Sequence, residues 1–451
     1  MAPHMNESVS NSDAPTQEAK PSGIHVIIVG AGFAGICAAI ECTRKGHKAT
    51  ILESYKNTNV QLGDVISFGS NSGRIFNRWP GVPEKLEPIC HNSPCLVYRD
   101  WKGEHIYTQW WGTEEENFGK RYNGHRGEIH KIIFDHAIEQ GVDIRLGQQV
   151  TEYFEDESEA GVVSNGERLV CDVVLGADGV RSKARQLVLG YDDKPKASGY
   201  AIYRAWMKSE DLAKNDLTKD LVINGDTHTG WLGPDIHFLA ASVKNGTEFS
   251  WVFTHKDERN VEEGWSEPGD VDDACRILEG WDPAVHAMVR MTPPDKLVDW
   301  KLVYRDPLPT WISPKARTAL IGDAAHPFLP TSIQGASQAM EDGACLAVCL
   351  ELAGKEHVQD ALRAFEKIRY ERVKAIQQTG VTTRDKWYVT CYSFHLYTTC
   401  SDAPYRHKAD FDSLRKDPEA IKLKREEWVL NHDAESNAYK VYPEVVASLK
   451  A

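Results

Sequence analysis

Three short groups of residues, far apart in the chain and in a fixed order, could together grip one large phosphorylated ligand. The first is Gly30-Ala31-Gly32-Phe33-Ala34-Gly35, with Glu53 downstream. The second is Gly176-Ala177-Asp178-Gly179-Val180-Arg181-Ser182, and the third Gly322-Asp323-Ala324-Ala325-His326-Pro327. Gly30 permits a tight turn, Gly32 lets the backbone approach a pyrophosphate, and Gly35 lets a helix pack closely on a strand. The pyrophosphate would sit at a helix N-terminus, where free N–H groups and the helix dipole favour anions. Glu53 has the spacing of a carboxylate that accepts a ribose hydroxyl. Taken singly, Asp178-Gly179 reads as a turn after a strand and Asp323 as a helix cap. The ordered set reads as one dinucleotide pocket.

The elements that must position these groups are visible as periodicities. Residues 24–29 form a short apolar run, as in a buried parallel strand; residues 36–40 open a helix, and 48–52 read as a second strand. Residues 56–125, rich in Gly, Pro and Trp, read as irregular. An amphipathic helix carrying Ile129, Ile132, Ile133, His136 and Ala137 follows, then a strand at 143–146 and strand-like segments over 150–175. Residues 200–207, 237–243 and 248–255 alternate as strands do. A buried strand returns at 318–321, and helices are expected at 335–352, 358–378 and 386–396.

These segments predict an α/β fold. A Rossmann-like domain is assembled from separated pieces, 23–196 and 306–380. Inserted between them is a mixed β-sheet domain, 197–305, that would carry the substrate, and a helical region, 381–451, follows. Residues 1–22 are polar, with neither an apolar signal core nor a basic stretch, and read as a disordered tail.

Composition narrows the function classes. At 451 residues the chain exceeds one typical core. A net charge of −14 argues against nucleic acid or an anionic membrane surface as partner. No apolar run reaches membrane-spanning length. None of the ten cysteines forms a Cys-x-x-Cys pair, and no cluster completes a zinc site, so no metal is expected. Buried thiols in a reducing compartment, the cytoplasm, are the simpler reading. Only one glycine-rich fingerprint is present, whereas a two-dinucleotide disulfide reductase would carry a second and a redox cysteine pair.

On these motifs the chain resembles the group A flavoprotein monooxygenases, the class of para-hydroxybenzoate and salicylate hydroxylases, over residues 24–380. The resemblance implies FAD as cofactor, NADH or NADPH as a donor that visits and leaves, and O2 as the source of an electrophilic oxygen. It assigns FAD and nicotinamide binding to Asp178 and Gly179, with Arg181 and Arg185 following. It assigns the ribitol and pyrophosphate side of FAD to Gly322 and Asp323, and a further FAD contact to Arg126 in Gly124-His125-Arg126-Gly127. At the flavin ring the family carries Pro and then Gly-Gln-Gly-Ala-Asn. Here the run is Pro330-Thr331-Ser332-Ile333-Gln334-Gly335-Ala336-Ser337, which keeps Gly335 and Ala336 but replaces a glycine by Ile333 and an asparagine by Ser337.

Within that class the chain is most similar to fungal enzymes that oxidise indole alkaloids, including spirocyclases of prenylated alkaloid pathways, notably over 300–309 and 428–433. In such enzymes an Asp and an Arg flank the oxidised indole, and Asp64 and Arg204 are the residues that match. Arg204 would stabilise a developing alkoxide; Asp64 would fix the indole N–H or a basic amine. Trp231 and Trp251 are candidate pocket walls for a flat apolar substrate. Two alternatives remain: a phenol or salicylate-type hydroxylase, in which His237 could act near the ring, and a non-oxygenase FAD oxidoreductase. The expected partner is a small aromatic molecule, and the oligomeric state is left open.

Overall fold

A computed structural model describes residues 20–57, 65–111, 118–233, 236–257, 267–388, 415–418, 421–423 and 426–451. Its first sheet has five parallel strands in the order Thr318–Leu320, Val173–Gly176, His25–Val29, Lys48–Glu53, Asp143–Leu146. The inner strands are short Val/Ile/Leu runs because both of their faces are covered. Helix Phe33–Arg44 makes the first crossover and packs against the buried helix Gly335–Ala353. A three-stranded antiparallel sheet, residues 150–171, leads into Val173–Gly176.

The glycines of the first loop answer to sterics. Gly30 sits at φ +106, and a Cβ there would overlap the Ala177 carbonyl. A Cβ at Gly35 would overlap the Gly30 carbonyl, so helix and strand can approach this closely only without a side chain. Gly35→Ala is expected to destabilise the fold by about 1–3 kcal/mol, read as a lowered melting temperature.

The second sheet has eight strands. Its order is Glu267–Pro268, Leu297–Tyr304, Lys196–Lys208, Glu248–Lys256, Ile236–Val243, His228–Gly233, Cys95–Asp100, His105–Trp110. All neighbours are antiparallel except His228–Gly233 with Cys95–Asp100. Two strands therefore come from the stretch read as irregular, so the sheet is not confined to 197–305. That stretch also holds helices Ser70–Phe76 and Val82–Leu86, and strand Val65–Phe68 paired with Tyr122–His125. A signal for Cys95–Asp100 existed: Leu96, Tyr98 and Asp100 alternate as buried residues.

One face of this sheet is sealed by helices Val271–Ile277 and Pro283–Arg290. Between them lies an aromatic core of Trp231, Phe238, Phe249, Trp251, Phe253 and Tyr203. The other face looks toward the parallel sheet.

Helix Val358–Tyr388 runs past the expected end at residue 378; residues 389–396 of the further expected helix lie outside the described residues. Helix Ala434–Lys450 packs on the two long helices, and Glu435 ties it to Lys45 at 2.6 Å and Arg78 at 3.0 Å. Residues 1–19 also lie outside the described residues. Among the described residues the cysteines are free thiols, buried except Cys95; no His/Cys/Asp/Glu group could hold a metal; and no helix is long and apolar enough to cross a membrane.

Candidate active site

A cavity of about 680 Å³ separates the two sheets. One end is built from the loops after three parallel strands: Gly32 to Ala34, Ala177 to Arg181, and Asp323. Ligands of open parallel sheets bind at this carboxyl edge. Arg126, Gly335 and Ala336 complete that end.

The donors there suit a dinucleotide. Helix Phe33–Arg44 has no side-chain cap, and neither has Gly335–Ala353, so the first-turn N–H groups of both are left for a ligand at the cavity wall. A Cβ at Gly32 would meet nothing within 4 Å, so its backbone borders open space. Gly30, Gly35 and Gly322 do not line the cavity; they shape the loops beneath it. Gly322 lies at φ +57, with a Cβ there only 2.7 Å from the Ala34 methyl.

Glu53 also stands off the wall. Its carboxylate accepts from Ala31 N at 2.7 Å and Tyr55 N at 2.8 Å, and so orders the glycine loop. Asp178 Oδ2 accepts from Tyr153 Oη at 2.9 Å and Lys183 N at 2.8 Å. Asp178 Oδ1 is buried and has no hydrogen-bond partner among the described residues. Gly179, at φ +75, turns the chain beside it. Burial raises the Asp323 carboxyl, opposed by the charges of His326, Arg126 and Arg185. Arg126 opens helix Arg126–Glu139, its guanidinium 6.0 Å from the Phe33 ring centroid.

Arg185, noted in sequence only as following the second motif, proves to join two motifs. It donates to the carbonyls of Ala324 at 2.7 Å, Asp323 at 2.8 Å and Val180 at 2.9 Å. Burial and neighbouring Arg305 push it down to about 10.

Ile333 has φ +55, the left-handed region, where a β-branched side chain is strained by about 1–2 kcal/mol. The resemblance places a glycine there, and the backbone has kept the glycine conformation. Two uncapped helix ends, an arginine, two carboxylates and an open glycine fit the pyrophosphate and ribityl hydroxyls of FAD.

The other end of the cavity is the free face of the eight-stranded sheet. Alternate residues of a strand face opposite ways. Arg204 lies opposite Val252, and Ile202 opposite Trp300; all four line the cavity. Trp251, opposite Ala205, has the other parity. Although it borders the cavity, its indole stacks on Phe238 and donates to Thr292 Oγ1 at 2.9 Å. Trp231 donates to Asp282 Oδ2 at 2.8 Å within the same core and does not line the cavity. Trp231 is thus a core residue rather than a pocket wall, while Trp251 borders the cavity with its indole tied into the core. Asp64 lies outside the described residues, next in sequence to Val65, which lines the cavity.

Arg204 is 3% exposed, its guanidinium 5.4 Å from the Trp300 ring centroid. His237 is buried on the same face, with Nδ1 3.3 Å from Thr254 Oγ1, and burial lowers its pKa to about 4. Its ring is neutral at physiological pH. The unfolded chain takes up this proton first, so the stability tied to the neutral ring is full above pH 6.5 and is lost as pH falls toward about 4. Melting temperature is expected to fall over that window, and His237→Asn to flatten part of the fall.

Residues 123–379 match a family described as an FAD binding domain, and residues 25–70 match a second family of that description. Asperlicin C monooxygenase of Petromyces alliaceus is 33% identical over 449 residues, 97% of this chain and 92% of its own. The FAD-dependent monooxygenase okaB of Penicillium ochrochloron is 34% identical over 439 residues, 95% and 92% of the two chains. CtdE, solved with FAD and a substrate, has a TM-score of 0.85 at 32% identity, covering 95% of this chain and 100% of that one. FqzB has a TM-score of 0.83 at 36% identity, covering 97% and 96%. With FAD-shaped donors at one end of its cavity and these matches over nearly its whole length, the chain belongs to the FAD binding domain family, as a group A FAD-dependent monooxygenase.

Proposed function

We propose that the protein uses O2 and NADH or NADPH to epoxidise the indole 2,3-bond of an alkaloid, which then rearranges by a semipinacol shift to a spiro-oxindole. The observation that carries the reading is Arg204, a buried cation on the sheet face turned to the cavity, beside the Trp300 indole and across from the FAD end. Likeness to a monooxygenase named for asperlicin C, and to CtdE solved with its substrate, supports it.

Bound FAD, once reduced by the nicotinamide, supplies one electrophilic oxygen atom from O2, the other leaving as water. Ile202, Leu239, Val252 and Leu302 give the wall apolar side chains that hold a flat ring and exclude water. As the indole nitrogen pushes the epoxide open, negative charge gathers on oxygen, and the Arg204 guanidinium donates to it. Asp64 holds the indole N–H or a basic amine of the substrate. Gly32, Arg126, Asp178, Gly179, Asp323, Gly335 and Ala336 hold FAD. Gly30, Gly35, Glu53 and Gly322 shape its loops.

The test is NAD(P)H oxidation by the FAD-loaded protein with simple phenols and with prenylated indole alkaloids, product masses read alongside. Turnover with a gain of one oxygen on the indoles alone is expected. Turnover on phenols alone would replace the indole reading with the phenol hydroxylase.

A further inference from the structure

Helix Arg126–Glu139 turns two residues of one face toward the first glycine loop: Arg126, and His130 one turn on. Arg126 lines the cavity and His130 does not. The His130 ring stands behind the loop, edge-on to Phe33 at 5.6 Å between centroids and stacked on Phe134 at 6.0 Å. Its Nε2 lies 2.6 Å from the Ala31 carbonyl oxygen. A carbonyl only accepts, so Nε2 carries a proton and donates it.

That contact sets the direction of a neighbouring group. The Ala31 carbonyl and the Gly32 N–H belong to one peptide plane, and no peptide bond among the described residues is cis. In a trans peptide the C=O and the N–H point opposite ways. A carbonyl held toward His130 therefore turns the Gly32 N–H to the other side of the loop. The other side is the cavity: Gly32 lines it, Ala31 does not, and a Cβ at Gly32 would meet nothing within 4 Å. The preceding peptide plane is pinned as well, since Glu53 Oε2 accepts from Ala31 N at 2.7 Å. Two consecutive planes of the loop are thus held from behind, one by Glu53 through its N–H and the next by His130 through its carbonyl.

We propose that His130 is a positioning residue for FAD, aiming the Gly32 N–H at the pyrophosphate without touching the cofactor. The role depends on FAD binding alone and is independent of the substrate. Ala31 is 6% exposed, and a carbonyl left there without a partner is costly. Without the donor, the cofactor-free loop would turn the Ala31–Gly32 plane to bring that oxygen to water. FAD would then have to turn it back. The cost falls on cofactor affinity rather than on the stability of the apoprotein.

The test is titration of the FAD-stripped protein with FAD, read by flavin fluorescence, and with adenosine diphosphate, read by calorimetry. The melting temperature of the stripped protein is read alongside. His130→Phe keeps a ring against Phe33 and Phe134 and loses the donor. Its dissociation constant for FAD is expected to rise by about 10-fold, the scale of one acceptor left unpaired, with the melting temperature nearly unchanged. Adenosine diphosphate, which carries the pyrophosphate without the flavin, should lose the same factor. His130→Gln, whose side-chain amide donates, should recover most of the affinity; His130→Leu takes the place of His130→Phe if the phenyl variant does not fold. Undiminished FAD affinity in a folded variant without the donor overturns the role, whether or not its melting temperature falls. So does a loss for FAD with none for adenosine diphosphate, or His130→Gln binding no better than His130→Phe.

Discussion

Arg204→Met is expected to lower the rate of product formation by about 10²–10³-fold, the scale of losing one charge-stabilising donor in a desolvated site. FAD content should stay at the wild-type level, because Arg204 stands on the sheet face and not among the dinucleotide loops. NAD(P)H oxidation should continue with most reducing equivalents diverted to hydrogen peroxide, since the variant still reduces flavin and binds an apolar ring. Arg204→Lys should recover only part of the rate: an ammonium keeps the charge but not the planar fork that sits 5.4 Å from the Trp300 ring centroid. The decisive measurement is single-turnover product yield against peroxide release. Coupling and rate unchanged in a folded Arg204→Met protein would remove Arg204 from the reaction.

The dinucleotide half of the fold is legible in sequence because its constraints are local. Gly30 and Gly35 are needed where carbonyls of the adjacent loop and strand leave no space, and the short apolar runs around them are what a parallel strand covered on both faces must be. The substrate half is legible only as strands. Alternation locates strands at 237–243 and 248–255, within a residue of the observed Ile236–Val243 and Glu248–Lys256, yet it does not say which parity meets the ligand, because helices seal one face and the cavity the other. Composition held the missing clue. Phe249, Trp251 and Phe253 make an apolar face suited to a core, whereas Ser250, Val252 and Thr254 make a mixed face suited to a ligand. Tryptophan chemistry alone pointed to Trp231, which lies wholly in the core. The strands at 95–110 pair with each other, and their place in the sheet was hidden because the strand that joins them to it, His228–Gly233 beside Cys95–Asp100, is distant in the chain. His130 and Arg185 act through carbonyls of remote segments, which no spacing rule reports.

Arg369 was equally silent, since a charged residue in a long amphipathic helix reads as surface, yet it is 1% exposed. It pairs with Glu341, donates to Asp342 Oδ1 at 3.0 Å, and reaches Gln338 Oε1 at 2.8 Å. Asp342 Oδ2 in turn receives Gly322 N at 3.0 Å and lies 2.6 Å from His326 Nε2, so the cluster braces the third FAD motif. Arg369→Met is expected to cost about 3–5 kcal/mol, because it leaves buried carboxylates uncompensated. The pH dependence separates this from a simple packing defect. In the wild type, burial works to raise Glu341, but Arg369 and Arg372 prevail and hold it below the ordinary range; for Asp342, His326 and Arg369 do the same. Folded-state values below the unfolded ones give stability that is full at neutral pH and lost as pH falls through the carboxylate range. Without Arg369, burial would favour the protonated carboxyls, so the variant's deficit should be larger at neutral pH than at mildly acid pH. Arg369→Met combined with Asp342→Asn should recover part of the loss. Urea unfolding at the two pH values checks both. A deficit independent of pH would mean the arginine fills space and does not neutralise charge. FAD content of the variant should fall together with its stability, because the cluster stands off the cavity wall and acts through the Gly322 amide that Asp342 holds.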